Sequence, residues 1–133
     1  KTLGGPSFLA KMAIERSIQY GRNGLGVIYV WASGNGGRNF DDCNADGYVN
    51  SIYVIAVSSC NQYGLKPPYV EECSSILTTT FSSGGRGSNF AGIVTTDLNE
   101  SEELYNSCTK NAGGTSASAP MLAGVIALAL EAK

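Results

Sequence analysis

The chain is 133 residues long, 43% hydrophobic and 15% charged, which is long and apolar enough for one domain with a core and too apolar for a disordered segment. A formal net charge of −2 gives no reason to expect the basic face that nucleic-acid binding needs. Histidine is absent, so no self-contained Ser-His-Asp or Cys-His machine exists within the chain. With no histidine and no C-x-x-C pair among Cys43, Cys60, Cys73 and Cys108, the usual zinc sites are excluded as well.

In chain order, Pro6 to about Asn23 reads as a helix, with Phe8, Leu9, Met12, Ala13 and Ile18 at helical spacing. Pro6 suits the first turn, and Gly21 and Gly24 suit the stop. Val27 to Ala32 is a β-branched and aromatic run, the pattern of a strand buried on both faces. The loop Ser33-Gly34-Asn35-Gly36-Gly37 breaks it, and Ile52 to Ser58 is a second strand of the buried type. Pro67-Pro68 forces an extended or turn segment. Ile76 to Phe81 and Ile93 to Thr95 read as short strands, Ser82 to Asn89 as a glycine- and serine-rich loop, and Asn99 to Glu103 as an acidic one. Thr115 to Ala132 is a helix apolar nearly all round, the signature of a core helix. This alternation of helix and strand is that of an α/β protein, and no linker or internal repeat divides it.

No leader is visible at Lys1, and the apolar stretch Met121 to Leu130 falls short of the roughly 20 residues a membrane span requires. No membrane contact is therefore expected from this segment. Asn99-Glu100-Ser101 is a glycosylation sequon, which points weakly to an oxidising compartment. The four cysteines allow three pairings, and spacing alone does not choose among them.

Two loops carry candidate chemistry. Gly113-Gly114-Thr115-Ser116-Ala117-Ser118-Ala119-Pro120 opens an apolar helix, which puts a serine beside unpaired backbone N–H groups and the positive end of the helix dipole. That environment favours an oxyanion forming next to Ser116. The ordinary use of Thr115 or Ser116 here is as an N-cap, and Pro120 sits near the first turns, where a missing N–H costs least. The loop holding Asn35 follows a strand, where open α/β sheets place their ligands. Its side-chain amide can face a developing negative oxygen, although turn asparagines are common. The glycines of Gly21-Arg22-Asn23-Gly24-Leu25-Gly26 precede a strand, so the dinucleotide fingerprint fails, and Gly114 to Ser118 does not fit the G-x-S-x-G elbow.

Ala32 to Gly37 and Gly114 to Pro120 together resemble the subtilisin-like serine proteases. Asn44 to Tyr53, Pro68 to Ser74, Ile93 to Leu98 and Ala127 to Ala132 narrow the resemblance to the kexin/furin branch, and it runs over the whole chain. The resemblance implies an α/β, mostly parallel sheet flanked by helices. Residues 1–133 would then be the C-terminal part of a catalytic domain whose triad aspartate and histidine lie upstream. It implies that Ser116 is the nucleophile, forming an acyl-enzyme, and that its N–H and Asn35 form the oxyanion hole. Asp46 would pair with a basic P1 side chain, Ala32 would line that pocket, and Ser33 and Gly34 would flank the peptide. Asp41 and Glu71 would be ligands of a calcium ion, a use suited to hard oxygen donors. Its partners would be protein substrates cut after basic, notably dibasic, sites in the secretory pathway or outside the cell, together with the N-terminal half of the same domain.

By the same resemblance Cys43 and Cys73 form a disulfide and Cys108 pairs with a cysteine of the upstream half. Cys60 is then a buried thiol or a partner of Cys108. Gly4 replaces an acid used for a basic P4 residue, and Ala112 replaces a histidine often found before the Gly-Gly-Thr-Ser motif. The Ser82 to Asn89 loop and the Glu100 to Tyr105 region look longer than in furin. Two other readings stay open on sequence alone: a protease-like binding module without activity, and a structural piece that works only with its N-terminal half.

Overall fold

The structure is a computed structural model and describes residues 4–85, 87, 89–97 and 108–132. The acidic loop, the sequon at Asn99 and the whole Glu100 to Tyr105 region lie outside the described residues, as does part of the Ser82 to Asn89 loop. Helix α1 spans Phe8–Tyr20 and helix α2 spans Thr115–Glu131. Between them lie β1 (Tyr29–Ala32), β2 (Val54–Cys60), β3 (Ile76–Phe81), β4 (Ile93–Thr96) and β5 (Cys108–Ala112).

β1, β2 and β3 form a parallel sheet in that order, with Trp31 opposite Ala56 and Ser59 opposite Thr80. β4 and β5 form a separate antiparallel pair. The parallel sheet needs crossovers and buried faces. α2 supplies one cover, packing against all three parallel strands. α1 reaches the sheet through the Ser17 hydroxyl, 2.7 Å from the Tyr29 hydroxyl. The result is an α/β fold with a parallel sheet and flanking helices, as the sequence led us to expect.

Several boundaries differ from the sequence reading, each for a local reason. α1 begins at Phe8 rather than Pro6 because Ser7 is its N-cap, accepting from the Ala10 N–H, and it ends before Gly21. The first strand starts two residues later than expected and is only half-buried, with Trp31 38% exposed. Among the described residues β1 is an edge of the sheet with a neighbouring strand on one side only, and Trp31 stacks on Tyr48 with ring centroids 4.5 Å apart. Ile52 lies outside β2 in a turn where the Ser51 hydroxyl accepts from the Tyr53 N–H, so the second strand runs from Val54 to Cys60. β5 was not foreseen at all.

α2 departs most from expectation. It is apolar throughout, yet within this chain only Thr115 and Ser118 are fully buried, and Val125 and Leu128 are 58% and 68% exposed. The buried apolar cluster lies elsewhere, around Cys43, Val49 and Ala56, with Cys73 and Ile76 packed against it. Pro120 falls inside α2 rather than in its first turn. Its missing N–H removes the bond that the Ser116 carbonyl would otherwise accept. No described helix is long and apolar enough to cross a membrane.

Candidate active site

The two loops singled out in the sequence meet. The Thr115 N–H donates to Asn35 Oδ1 at 2.9 Å, and the Thr115 hydroxyl donates to the same oxygen at 3.0 Å, across 80 residues of sequence. The Thr115 hydroxyl in turn accepts from the Gly34 N–H at 3.2 Å. A backbone N–H can only donate, so the amide atom facing it must be the oxygen. Asn35 Nδ2 is thereby left as the donor of the amide, beside Gly114 at the start of α2.

Ser116 is exposed and is the second residue of α2. The first four N–H groups of a helix have no partner in the helix itself. Thr115 spends its N–H on Asn35, and Ala117 donates to the Gly114 carbonyl at 3.1 Å. The Ser116 N–H lies between these two. Neither Thr115 nor Ser116 is the N-cap that common usage suggests: that position is Gly114, with no side-chain cap bond. Gly114 has φ 82° and ψ 172°, a region essentially reserved for glycine, and a Cβ there would lie 3.2 Å from both amide atoms of Asn35.

The rest of the α2 start is fastened to the sheet by buried hydroxyls. Ser118 Oγ lies 2.8 Å from Ser59 Oγ, Thr80 Oγ1 donates to the Ser118 carbonyl at 2.9 Å, and Ser82 Oγ donates to the Gly114 carbonyl at 2.8 Å. A cleft of ≈ 700 Å³ opens against Asn35 and Gly114, with Arg38, Tyr69, Ser83 and Phe90 among its walls.

The expected peptide-flanking residues have mixed surroundings. Ala32 ends β1, half-buried. Ser33 is fully buried, its N–H donates to the Val57 carbonyl at 2.9 Å, and its hydroxyl has no partner among the described residues. The Gly34 N–H is engaged by Thr115. Asp46 is half-buried, and its Oδ1 accepts from the N–H groups of Tyr48 at 2.9 Å and Val49 at 3.3 Å. Gly4 forms a bridge with Asp46, and its carbonyl accepts from the Gly47 N–H at 2.7 Å. That arrangement gives Asp46 one oxygen for its own turn and one to spare.

Asp41 and Glu71 converge on the loop that carries Asn35. Glu71 is only 1% exposed, and its Oε1 accepts from the Gly36 N–H at 2.9 Å. A Cβ on Gly34 would sit 2.4 Å from Glu71 Oε1, and one on Gly36 would sit 2.1 Å from Asp41 Oδ2. The two glycines thus leave space for two carboxylates, a hard-oxygen pair of the kind calcium takes. A second group, Asp42, Cys43 and Cys73, brings its ligand atoms within 4.8 Å of one another. Cys43 and Cys73 form a disulfide, however, so their sulfurs are not thiolates free to bind metal. Cys60 and Cys108 are free thiols in this structure, so they are not paired with each other.

Sequence reasoning singled out Asn35 and Ser116 but did not foresee the bonds of Thr115 to Asn35 and of Ser82 to Gly114. No local signal marks either role, because the bonds span 80 and 32 residues.

A profile of the subtilase family matches residues 1–133. The chain is 58% identical over 132 residues to human proprotein convertase subtilisin/kexin type 6, covering 99% of this chain and 13% of that protein. It is 57% identical to furin-1 of Xenopus laevis and 56% identical to proprotein convertase subtilisin/kexin type 5 of Rattus norvegicus, again over 99% of the chain. It spans 16% and 7% of those two relatives. The serine protease of Aeromonas sobria superposes with a TM-score of 0.80 at 20% identity, covering 99% of this chain and 28% of that one, a likeness of fold. The chain belongs to the subtilase family and, within it, to the kexin/furin-like proprotein convertases.

Proposed function

We propose that this chain is the nucleophile-bearing part of a serine endopeptidase that cuts proproteins after basic residues. The observation that carries the reading is the pair of bonds from Thr115 to Asn35 Oδ1, which occupy the amide oxygen and leave Nδ2 as the donor beside Gly114, two residues before Ser116. Ser116 attacks the scissile carbonyl, and the tetrahedral oxyanion is held by the Ser116 N–H and Asn35 Nδ2. With no histidine in the chain, the general base comes from an upstream half of the same domain. Asp46, with its second carboxylate oxygen, recognises the basic P1 side chain, and Ala32, Ser33 and Gly34 form the adjoining edge.

Asp41 and Glu71 would hold a calcium ion, which neutralises their paired charge next to the Asn35 loop. The buried Glu71 carboxylate against Gly34 and Gly36 supports this. The disulfide and the similarity to proprotein convertases favour a secretory-pathway or extracellular setting.

The test is labelling with a fluorophosphonate probe. The complete catalytic domain should be labelled at Ser116 and lose labelling in Ser116→Ala, while residues 1–133 alone should not be labelled. Absence of labelling in the complete domain overturns the peptidase reading in favour of a protease-like binding module. Labelling of the isolated chain overturns the need for an external base.

A further inference from the structure

Ser82 lies just past β3 and is 3% exposed. Its N–H donates to the Cys60 carbonyl at 2.7 Å, which fixes its backbone to the end of β2. The chain beside it is fixed too, since the Tyr69 hydroxyl donates to the Ser83 carbonyl at 2.9 Å. This segment presses closely on the turn before the nucleophile: a Cβ on Gly113 would lie 1.9 Å from Ser83 Oγ.

From that fixed point the Ser82 hydroxyl donates to the Gly114 carbonyl at 2.8 Å. The other end of the same peptide group, the Thr115 N–H, donates to Asn35 Oδ1 at 2.9 Å. A peptide group is planar, so holding its oxygen sets the direction of its N–H. Gly114 is the residue whose torsions would otherwise let this plane rotate. The Gly114 carbonyl also accepts from Ala117 at 3.1 Å, but that bond belongs to α2 and moves with it. Ser82 references the plane to the sheet.

We propose that Ser82 is a positioning residue for the oxyanion hole, aiming the Asn35 amide through the Gly114–Thr115 peptide plane. The proposal rests on the peptidase reading above. It attributes to Ser82 no contact with substrate. Removing its hydroxyl leaves the Gly114 carbonyl with its Ala117 partner, so the fold should survive.

The experiment is a double-mutant cycle in the complete catalytic domain, with kcat and KM measured on a peptide amide carrying a basic P1 residue. Ser82→Ala should lower kcat about 5- to 20-fold, the equivalent of one buried hydrogen bond, with KM within about twofold. In an Asn35→Ala background the same substitution should cost less than about twofold, because the group it aims is gone. Ser82→Thr should restore most of kcat. If Ser82→Ala fails to fold, Ser82→Cys, similar in size but a weak donor, replaces it in the cycle with the same expectation. An equal loss in both backgrounds, or a loss confined to KM, overturns the proposal and leaves Ser82 a packing residue. A wild-type domain that takes no fluorophosphonate label overturns the peptidase reading itself, and this inference with it.

Discussion

The two ends of α2 are held by different physics. Its first turn is bound to two loops and two strands by hydrogen bonds from Asn35, Ser59, Thr80 and Ser82, with Thr115 and Ser118 fully buried. Its later turns carry Val125, Leu128 and Leu130 outward, exposed within this chain. Directional bonds place the residues around Ser116, while the later turns present an apolar face that this chain leaves exposed. Geometry around Ser116 is therefore local to these residues, whereas the rest of the helix would gain stability from any cover over its apolar face. Under the proposed function that cover is the upstream half.

The largest test of this contrast is Leu128→Asp. In the complete domain a covered Leu128 would become a buried unpaired charge, and thermal or denaturant unfolding should show a loss above about 4 kcal/mol. In residues 1–133 alone, where Leu128 is 68% exposed, the change should stay within about 0.5 kcal/mol. Equal small effects in both would mean that the face remains open in the parent protein. Asn35→Ala should do the reverse, lowering kcat by about 10²–10³, the magnitude measured for a subtilisin, while costing only about 1–3 kcal/mol of stability for the Thr115 donors it leaves unpaired. A larger loss of stability would make Asn35 a structural residue first. Smaller still is Thr115→Val, which keeps the shape but removes the hydroxyl that joins Gly34 to Asn35. About 1 kcal/mol, or roughly fivefold in kcat, is expected, read from steady-state rates on the complete domain.

The same contrast explains what could be read from the residues. β3 was legible at its observed bounds, because Ile76 to Phe81 is a run of β-branched and apolar residues between turn signals. β5 was not, since Cys-Thr-Lys-Asn-Ala carries a weak strand preference and becomes a strand only by pairing with β4. The reading of Val27 to Ala32 as doubly buried failed on Trp31, whose exposure depends on strand order, which no local pattern contains. At the site, residue type and motif pointed to Asn35 and Ser116. The hydroxyls that orient them were invisible, because serine and threonine are common and their partners are distant in sequence.

The disulfide has a symmetry that bears on the carboxylates. It joins Cys43 to Cys73 across 30 residues, and Asp41 and Glu71 each stand two positions before a half-cystine. The two acids are thus the arms of a single covalent clamp. The cross-link removes about 3–4 kcal/mol of loop-closure entropy from the unfolded chain, and so favours the fold that brings the two arms together. Under the proposed function they would meet an incoming cation as a chelate, with the second donor already at high effective concentration when the first one binds.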